Sequence, residues 1–545
     1  LPYFFRFKSD FNKVPFSRLS RRNFLAGVSL AALPGAAAAQ SALAPAPPAA
    51  PAPSPQAPFA GDTSGPGYSR YVITSWGDAL LPDAPPFAPY DLTGDQAATQ
   101  FPYDAIIAGV VAPPPAQDGI PRLVAVFANP DAPARMLFPD GQDQPAIAGK
   151  LQGGTILNLQ FLNNRWDLVA GGYQSRRLTD GTLCQMSGPA AAALGSTVQG
   201  LLAPQAACVT PWATALFAEG DAAPWLARLK NTDYGYGDPA NAAKYGWVAE
   251  LDPLDPSAFP VKRTALGRFP RAGIAATMTA DGRPVIFMAQ SDPAGMLFRF
   301  IAASNATDGT ALDSGTLAVA QIQDDTITWI DLPPGNATLV GTIGAAQTAG
   351  GSPFDSPAGI AIAPDHTIYL ACRGNPARDP LNTNTLNPRA GDDNGHILAL
   401  TAPNGDLTAK TLTGAVAIAA GNPATTQFTQ YTQGSSTWFR KPTTLNLDPQ
   451  NQLWIGTNQN GNMTDTTDGL FTMQTQGPSK YLADTAYLAP IGAAIGGAAF
   501  ANTTTLTVVR HPGATTTATE ANPATRWPTL QPTMPPQSTV IGVVG

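Results

Sequence analysis

The stretch that decides the fold is Pro357-Ala-Gly-Ile-Ala-Ile362, a turn at Asp365-His366, and Ile368-Tyr-Leu-Ala371. A short apolar run, a turn and a second apolar run read as a β-hairpin. The same unit stands at Pro270-Arg-Ala-Gly-Ile-Ala275, Asp281-Gly282 and Val285-Ile-Phe-Met288. It returns as Pro442-Thr-Thr-Leu-Asn-Leu447, Gln450-Asn451 and Leu453-Trp-Ile-Gly456, and more loosely from Pro490 through Phe500 to Leu506-Thr-Val-Val509. Hairpins repeated without helices between them indicate an all-β array. A closed ring of blades leaves only short, protected edges. The expectation is therefore a single large β-propeller, with a site in the central channel just after each recurrent Pro. The first three copies lie about 85 residues apart, roughly twice a usual blade, so intervening blades of weaker signature are expected.

Composition narrows the chemistry. The 545 residues are 44% hydrophobic, enough for a sizeable core, yet only 13% charged, with 52 Gly and 55 Pro. A net charge of −7 argues against nucleic acid as a partner. Three Cys rule out a disulfide framework, and three dispersed His rule out HExxH or Cys/His zinc sites. No GxGxxG follows a strand, and no GxxxxGK[ST] phosphate loop is present.

The first 39 residues read as an export signal. Ser20-Arg-Arg-Asn-Phe-Leu25 precedes a small apolar run that ends in Ala37-Ala-Ala39, an A-x-A processing site. The Arg pair resembles a bacterial twin-arginine signal, which points to a periplasmic or secreted protein. The apolar run is too short to span a membrane, and Pro34-Gly35 interrupts it. Removing residues 1–39 takes away five net positive charges and leaves a mature chain near −12. Residues 40–60 form an Ala/Pro-rich linker, and residues 61–545 the propeller domain.

Several segments carry a resemblance: Trp76-Gly-Asp-Ala-Leu-Leu-Pro-Asp-Ala-Pro-Pro-Phe87, Thr210-Pro-Trp-Ala-Thr214, Ala265-Leu-Gly-Arg-Phe269 and Asp313-Ser-Gly-Thr-Leu-Ala-Val-Ala320. Asn387-Pro-Arg389, Gly395-His-Ile397, His511-Pro-Gly513 and Arg526-Trp-Pro528 continue it. In this order and spacing the chain resembles the PhoX family of exported bacterial alkaline phosphatases. The resemblance implies a six-bladed propeller acting on a phosphate-ester substrate, with calcium and iron held mainly by carboxylates and one Cys; the alternative for this chain is no cofactor. A monomer is the expectation for the assembly.

The family's functional centres differ in this chain. Its Asn-His-Glu becomes Ala128-Asn-Pro130, its Cys-Glu-Glu becomes Ala218-Glu-Gly220, and its His-Glu becomes Arg271-Ala272. Gly-Asp-Asp becomes Ala289-Gln-Ser291, and Arg-Pro-Glu becomes Ser356-Pro-Ala358. Ser-Pro-Asp-Asn becomes Lys441-Pro-Thr-Thr444, and Gly-Ala-Glu becomes Gly492-Ala-Ala494. Flanking residues persist while acidic or basic centres are emptied. By resemblance, Glu219 and Asp292 are the candidate metal ligands; Arg271 and His396 are the candidate anion contacts.

Each candidate also has a plain structural reading. His396 reads as a hydrogen-bonded structural His, Arg271 as a solvated Arg and His366 as an exposed turn residue. Trp212, Trp454 and Trp527 read as blade-packing aromatics. Cys208 reads as a small buried thiol, with a Cys184–Cys208 disulfide as the alternative. Two functions stay open: metal-dependent phosphomonoester hydrolysis, or a propeller repurposed to bind a small molecule or protein partner. A lactonase or quinoprotein dehydrogenase has no specific motif here.

Overall fold

A computed structural model describes residues 57–463 and 465–545. The signal segment and most of the Ala/Pro-rich linker lie outside the described residues. Four-stranded antiparallel meanders recur along the chain, each beginning at the centre of the molecule and running outward. Their innermost strands are Ile106–Val111, Pro204–Val209, Arg271–Met278, Pro357–Ile362, Pro442–Leu447 and Ala494–Ala501. Each packs on the next and the last packs on the first, which closes a ring of six blades.

All four recurrent hairpins are the inner two strands of a blade, in blades three to six. Blades three, four and five are consecutive, so no blade intervenes between the copies, contrary to the sequence expectation. The extra length is insertion. Blade three carries a fifth strand, Thr326–Asp331, followed by the helices Asn336–Val340 and Thr342–Thr348. That strand pairs with Thr411–Ala419, the outer strand of blade four, and fuses the two blades into one nine-stranded sheet. Blade two gains Leu183–Ser187 and Thr197–Gln199, the former in parallel with Val261–Arg263.

The conserved shape of the repeat has a steric cause. Pro lacks an N–H and is tolerated at the first residue of a strand; Pro357 and Pro442 each open one. A Cβ on Gly273 would stand 1.8 Å from the Ala358 carbonyl oxygen of the next blade. One on Gly359 would stand 2.7 Å from both Leu445 N and Thr443 O. Only glycine lets neighbouring inner strands approach this closely.

The ring closes between the two ends of the described chain. Ser69–Ser75 pairs with Thr539–Val544, from Ser69 opposite Val544 to Ser75 opposite Thr539, and completes blade six. Asp62 fastens this closure: it takes Arg70 Nε at 2.7 Å, Trp527 Nε1 at 2.9 Å and Tyr487 OH at 2.9 Å. Trp454 packs against Tyr68 and Phe500 between blades five and six. The core otherwise lies between the blades, in apolar layers such as Phe439, Phe471 and Met473.

Candidate functional site in the central channel

The inner strands surround a cavity of about 470 Å³, and all six contribute to its wall. Every one of them shifts register within its first residues, between Ile107 and Gly109, Pro204 and Ala206, Arg271 and Gly273, Pro357 and Ile360, Pro442 and Thr444, and Ile495 and Ala498. Bulges of this kind bend a strand and re-aim its side chains, and they concentrate beside binding sites. The wall includes Ala272–Ala276, Ala358–Ile362 and Thr443–Leu447, the segments just after the recurrent Pro.

Several polar and charged groups arrive from a different place. Asp131, Ser291, Arg373, Asn458 and His511 all line the cavity, and each follows the second strand of its blade by one or two residues. The first-strand reading missed them; their shared position at the end of each hairpin is the signal that marks them.

Arg510 and Asp104 are joined by two bonds, Nε to Oδ1 at 2.7 Å and Nη2 to Oδ2 at 2.8 Å. Burial opposes the Asp104 charge, yet the Arg510 guanidinium holds its carboxyl below the usual range. Burial, and then the Asp104 charge, push Asp131 the other way. Burial also pushes the His511 imidazole below its ordinary value, against the pull of Asp104. Cys208 lines the same wall, and burial pushes its thiol up to about 12, so it is not a ready thiolate. All three Cys are free, so Cys184 and Cys208 are not paired.

The four residues singled out from sequence lie outside the cavity wall, and Glu219 and Arg271 come near one another, both bonded to the Gly246 backbone. Glu219 ends the second strand of blade two and is fully buried. Its Oε1 accepts from Lys262 Nζ at 2.8 Å and Leu202 N at 2.9 Å, and its Oε2 from Gly246 N at 2.8 Å and Trp247 N at 3.1 Å. Asp292 is an exposed turn residue whose Oδ1 accepts from Ala294 N.

Arg271 is fully buried rather than solvated, and its guanidinium donates to the carbonyls of Gly246, Leu266, Gly267 and Phe269. Burial pushes it down to about 9, against the pull of the Glu219 charge. His396 is fully buried with its Nδ1 3.8 Å from Asp392 Oδ2, and neither ring nitrogen has a hydrogen-bond partner among the described residues. His366 is half-buried rather than exposed, with Nδ1 at the Gly405 carbonyl. Among the described residues no three His, Cys, Asp or Glu side chains converge as a metal site. No helix among them is long and apolar enough to cross a membrane.

Residues 63–513 match the family model described as alkaline phosphatase PhoX. The chain belongs to the PhoX family. Among solved structures, Pseudomonas fluorescens PhoX in complex with vanadate, a transition state analogue, superposes with a TM-score of 0.80 at 24% identity. That match covers 91% of this PhoX-family chain and 97% of the other. A gluconolactonase from Xanthomonas campestris matches with a TM-score of 0.28 at 10% identity, over 91% of this chain and 98% of its own. No curated protein matches the sequence. At 24% identity the Pseudomonas structure speaks for the fold, and the PhoX propeller is the fold described above.

Proposed function

We propose that this PhoX-family chain is an exported propeller whose central cavity binds a small molecule and no longer runs metal-assisted hydrolysis of phosphomonoesters. Family membership supplies alkaline phosphatase as the ancestral activity. The observation that favours binding over hydrolysis is the donor set of the cavity. Its wall contains two carboxylates, Asp104 and Asp131, and both oxygens of Asp104 are taken by Arg510. Calcium takes six to eight oxygen ligands, several of them carboxylates. A metal phosphatase uses its ions to gather phosphoryl oxygens and stabilise in-line displacement. The residues present do not fit a multinuclear calcium–iron centre. Glu219 already satisfies four donors away from the channel.

The twin-arginine segment supports export to the periplasm or beyond. Fractionation of the native host tests it: replacement of Arg21 and Arg22 by Lys is expected to leave the protein in the cytoplasm. The functional test is metal analysis of exported protein, with a phosphomonoesterase assay in added Ca²⁺ and iron. The expected result is no stoichiometric metal and no turnover. Bound metal with robust turnover would establish the family activity and overturn the binding reading.

A further inference from the structure

A second cavity, of about 770 Å³, lies between blades two and three and shares no wall residue with the central channel. It sits at the end of the ring where the inner hairpins turn, away from the strand ends that carry Asp131 and Arg373. Trp212 comes from the hairpin turn of blade two, and Met278 and Pro284 flank that of blade three.

Two aromatic side chains in this wall have free surface. Of the nine Trp, eight are buried; Trp212 is the exception and is half-buried. Phe259 lines the same cavity with 51% of its surface exposed. Guanidinium groups lie over Trp225 and Trp527, but no ring or cation stacks on Trp212 or Phe259 among the described residues. The indole is held in place by Glu250, whose Oε1 accepts from Trp212 Nε1 at 3.0 Å and from the Thr214 hydroxyl at 2.7 Å.

The charge of the wall is negative. Its one cation, Arg263, bridges Glu250 at 2.7 Å and Asp313 at 3.1 Å. Asp252 and Asp308 stand in the same wall, and neither forms a salt bridge among the described residues. Both are turn residues: Asp252 Oδ1 accepts from Leu254 N at 2.8 Å, and Asp308 Oδ1 from Thr310 N at 3.0 Å. The bonds from Thr310 hold the Asp308 carboxyl below the usual range, so it is ionised at neutral pH. The charges behind the wall do not reverse the sign. Arg283 is paired with Asp281, and Arg176 has both Asp252 and Asp255 acting on it.

A concave, largely apolar wall with a few placed polar groups is how small-molecule sites are built. An ammonium over an aromatic face is attracted by the ring quadrupole, most strongly for Trp. The unbalanced acids favour the same charge and repel an anion. We propose that the cleft between blades two and three binds a small organic cation, an ammonium group on an apolar body. Trp212 and Phe259 supply its aromatic walls, and Asp252 and Asp308 its counter-charges. The site is independent of whether the central channel hydrolyses phosphomonoesters.

The test titrates the full exported protein with phenyltrimethylammonium and benzenesulfonate, opposite charges on the same ring, by calorimetry at low ionic strength. The cation is expected to bind at least ~10-fold more tightly than the anion, and less tightly as salt is raised. Phe259→Ala alters an exposed side chain, so it should keep the unfolding midpoint and weaken the cation ~2- to 30-fold. The double variant Asp252→Asn with Asp308→Asn keeps the turn acceptors and should remove most of the preference for the cation. A wild-type protein that binds neither probe overturns the proposal, as does benzenesulfonate binding as tightly as the cation. Cation affinity unchanged in either variant overturns it too.

Discussion

Lys262 Nζ lies 2.8 Å from Glu219 Oε1, and neither side chain has any exposed surface. A carboxylate so enclosed, with three backbone N–H groups completing its shell, holds blade two together. Removing one partner of a buried ion pair leaves the other charged and unsolvated, typically at a cost of about 3–5 kcal/mol. Glu219→Ala is expected to lose stability of that order in urea titration.

The inner ring is set by close backbone approach, so Gly273→Val should be among the most damaging single changes. Its Cβ would meet the Ala358 carbonyl, and no flexible side chain is there to give way. Overpacking of a tight core runs about 1–3 kcal/mol, and a clash with backbone exceeds it. A lower unfolding midpoint is the expected outcome in thermal unfolding.

Asp468 gives the protein a pH dependence opposite in sign to that of a paired surface acid. Burial pushes its carboxyl up to about 6, against the bonds from Gln459 and Thr457. An acid raised in the folded state binds its proton more readily folded than unfolded. Its contribution is therefore fully present below the ordinary carboxylate value and is lost as pH rises through about 6. The size is about 3 kcal/mol between pH 4 and 6. Stability measured across that window in wild type and Asp468→Asn should differ in slope, with the wild type falling more steeply as pH rises.

The thiols provide a check on the packing. Burial pushes Cys184 and Cys208 each up to about 12 and Cys372 well above its ordinary value. At pH 8 the folded protein is expected to react slowly or not at all with a thiol reagent. Three thiols should titrate after unfolding without reductant, since none is paired.

Chelation separates a structural metal from none. With no converging group of three metal-ligating side chains among the described residues, treatment with EDTA is expected to leave the unfolding midpoint unmoved. Added Ca²⁺ should do the same. A drop on chelation that Ca²⁺ reverses would show metal linked to folding.

Much of the architecture was legible because its cause is local. The Pro, the apolar alternation and the turn at each hairpin are read within about twenty residues, and Gly273 and Gly359 recur at one place within the repeat. The order of blades was not legible, because Thr326–Asp331 and the helices after it lengthen blade three without altering the hairpin signal. The pairing of Ser69–Ser75 with Thr539–Val544 joins residues more than 450 apart in sequence, and no local pattern announces it.

The site divides in the same way. From sequence alone come the family and the propeller, because motif order survives without coordinates. Which charges face the channel was a tertiary matter. Glu219 and Arg271 fall at motif positions yet turn into the blades, where backbone groups and Lys262 satisfy them. Arg373 belongs to no motif, but ring closure brings the ends of the second strands, Arg373 among them, to one cavity. Whether a charge is a strut or a binding group depends on which partners the fold delivers to it, and those partners lie on other blades.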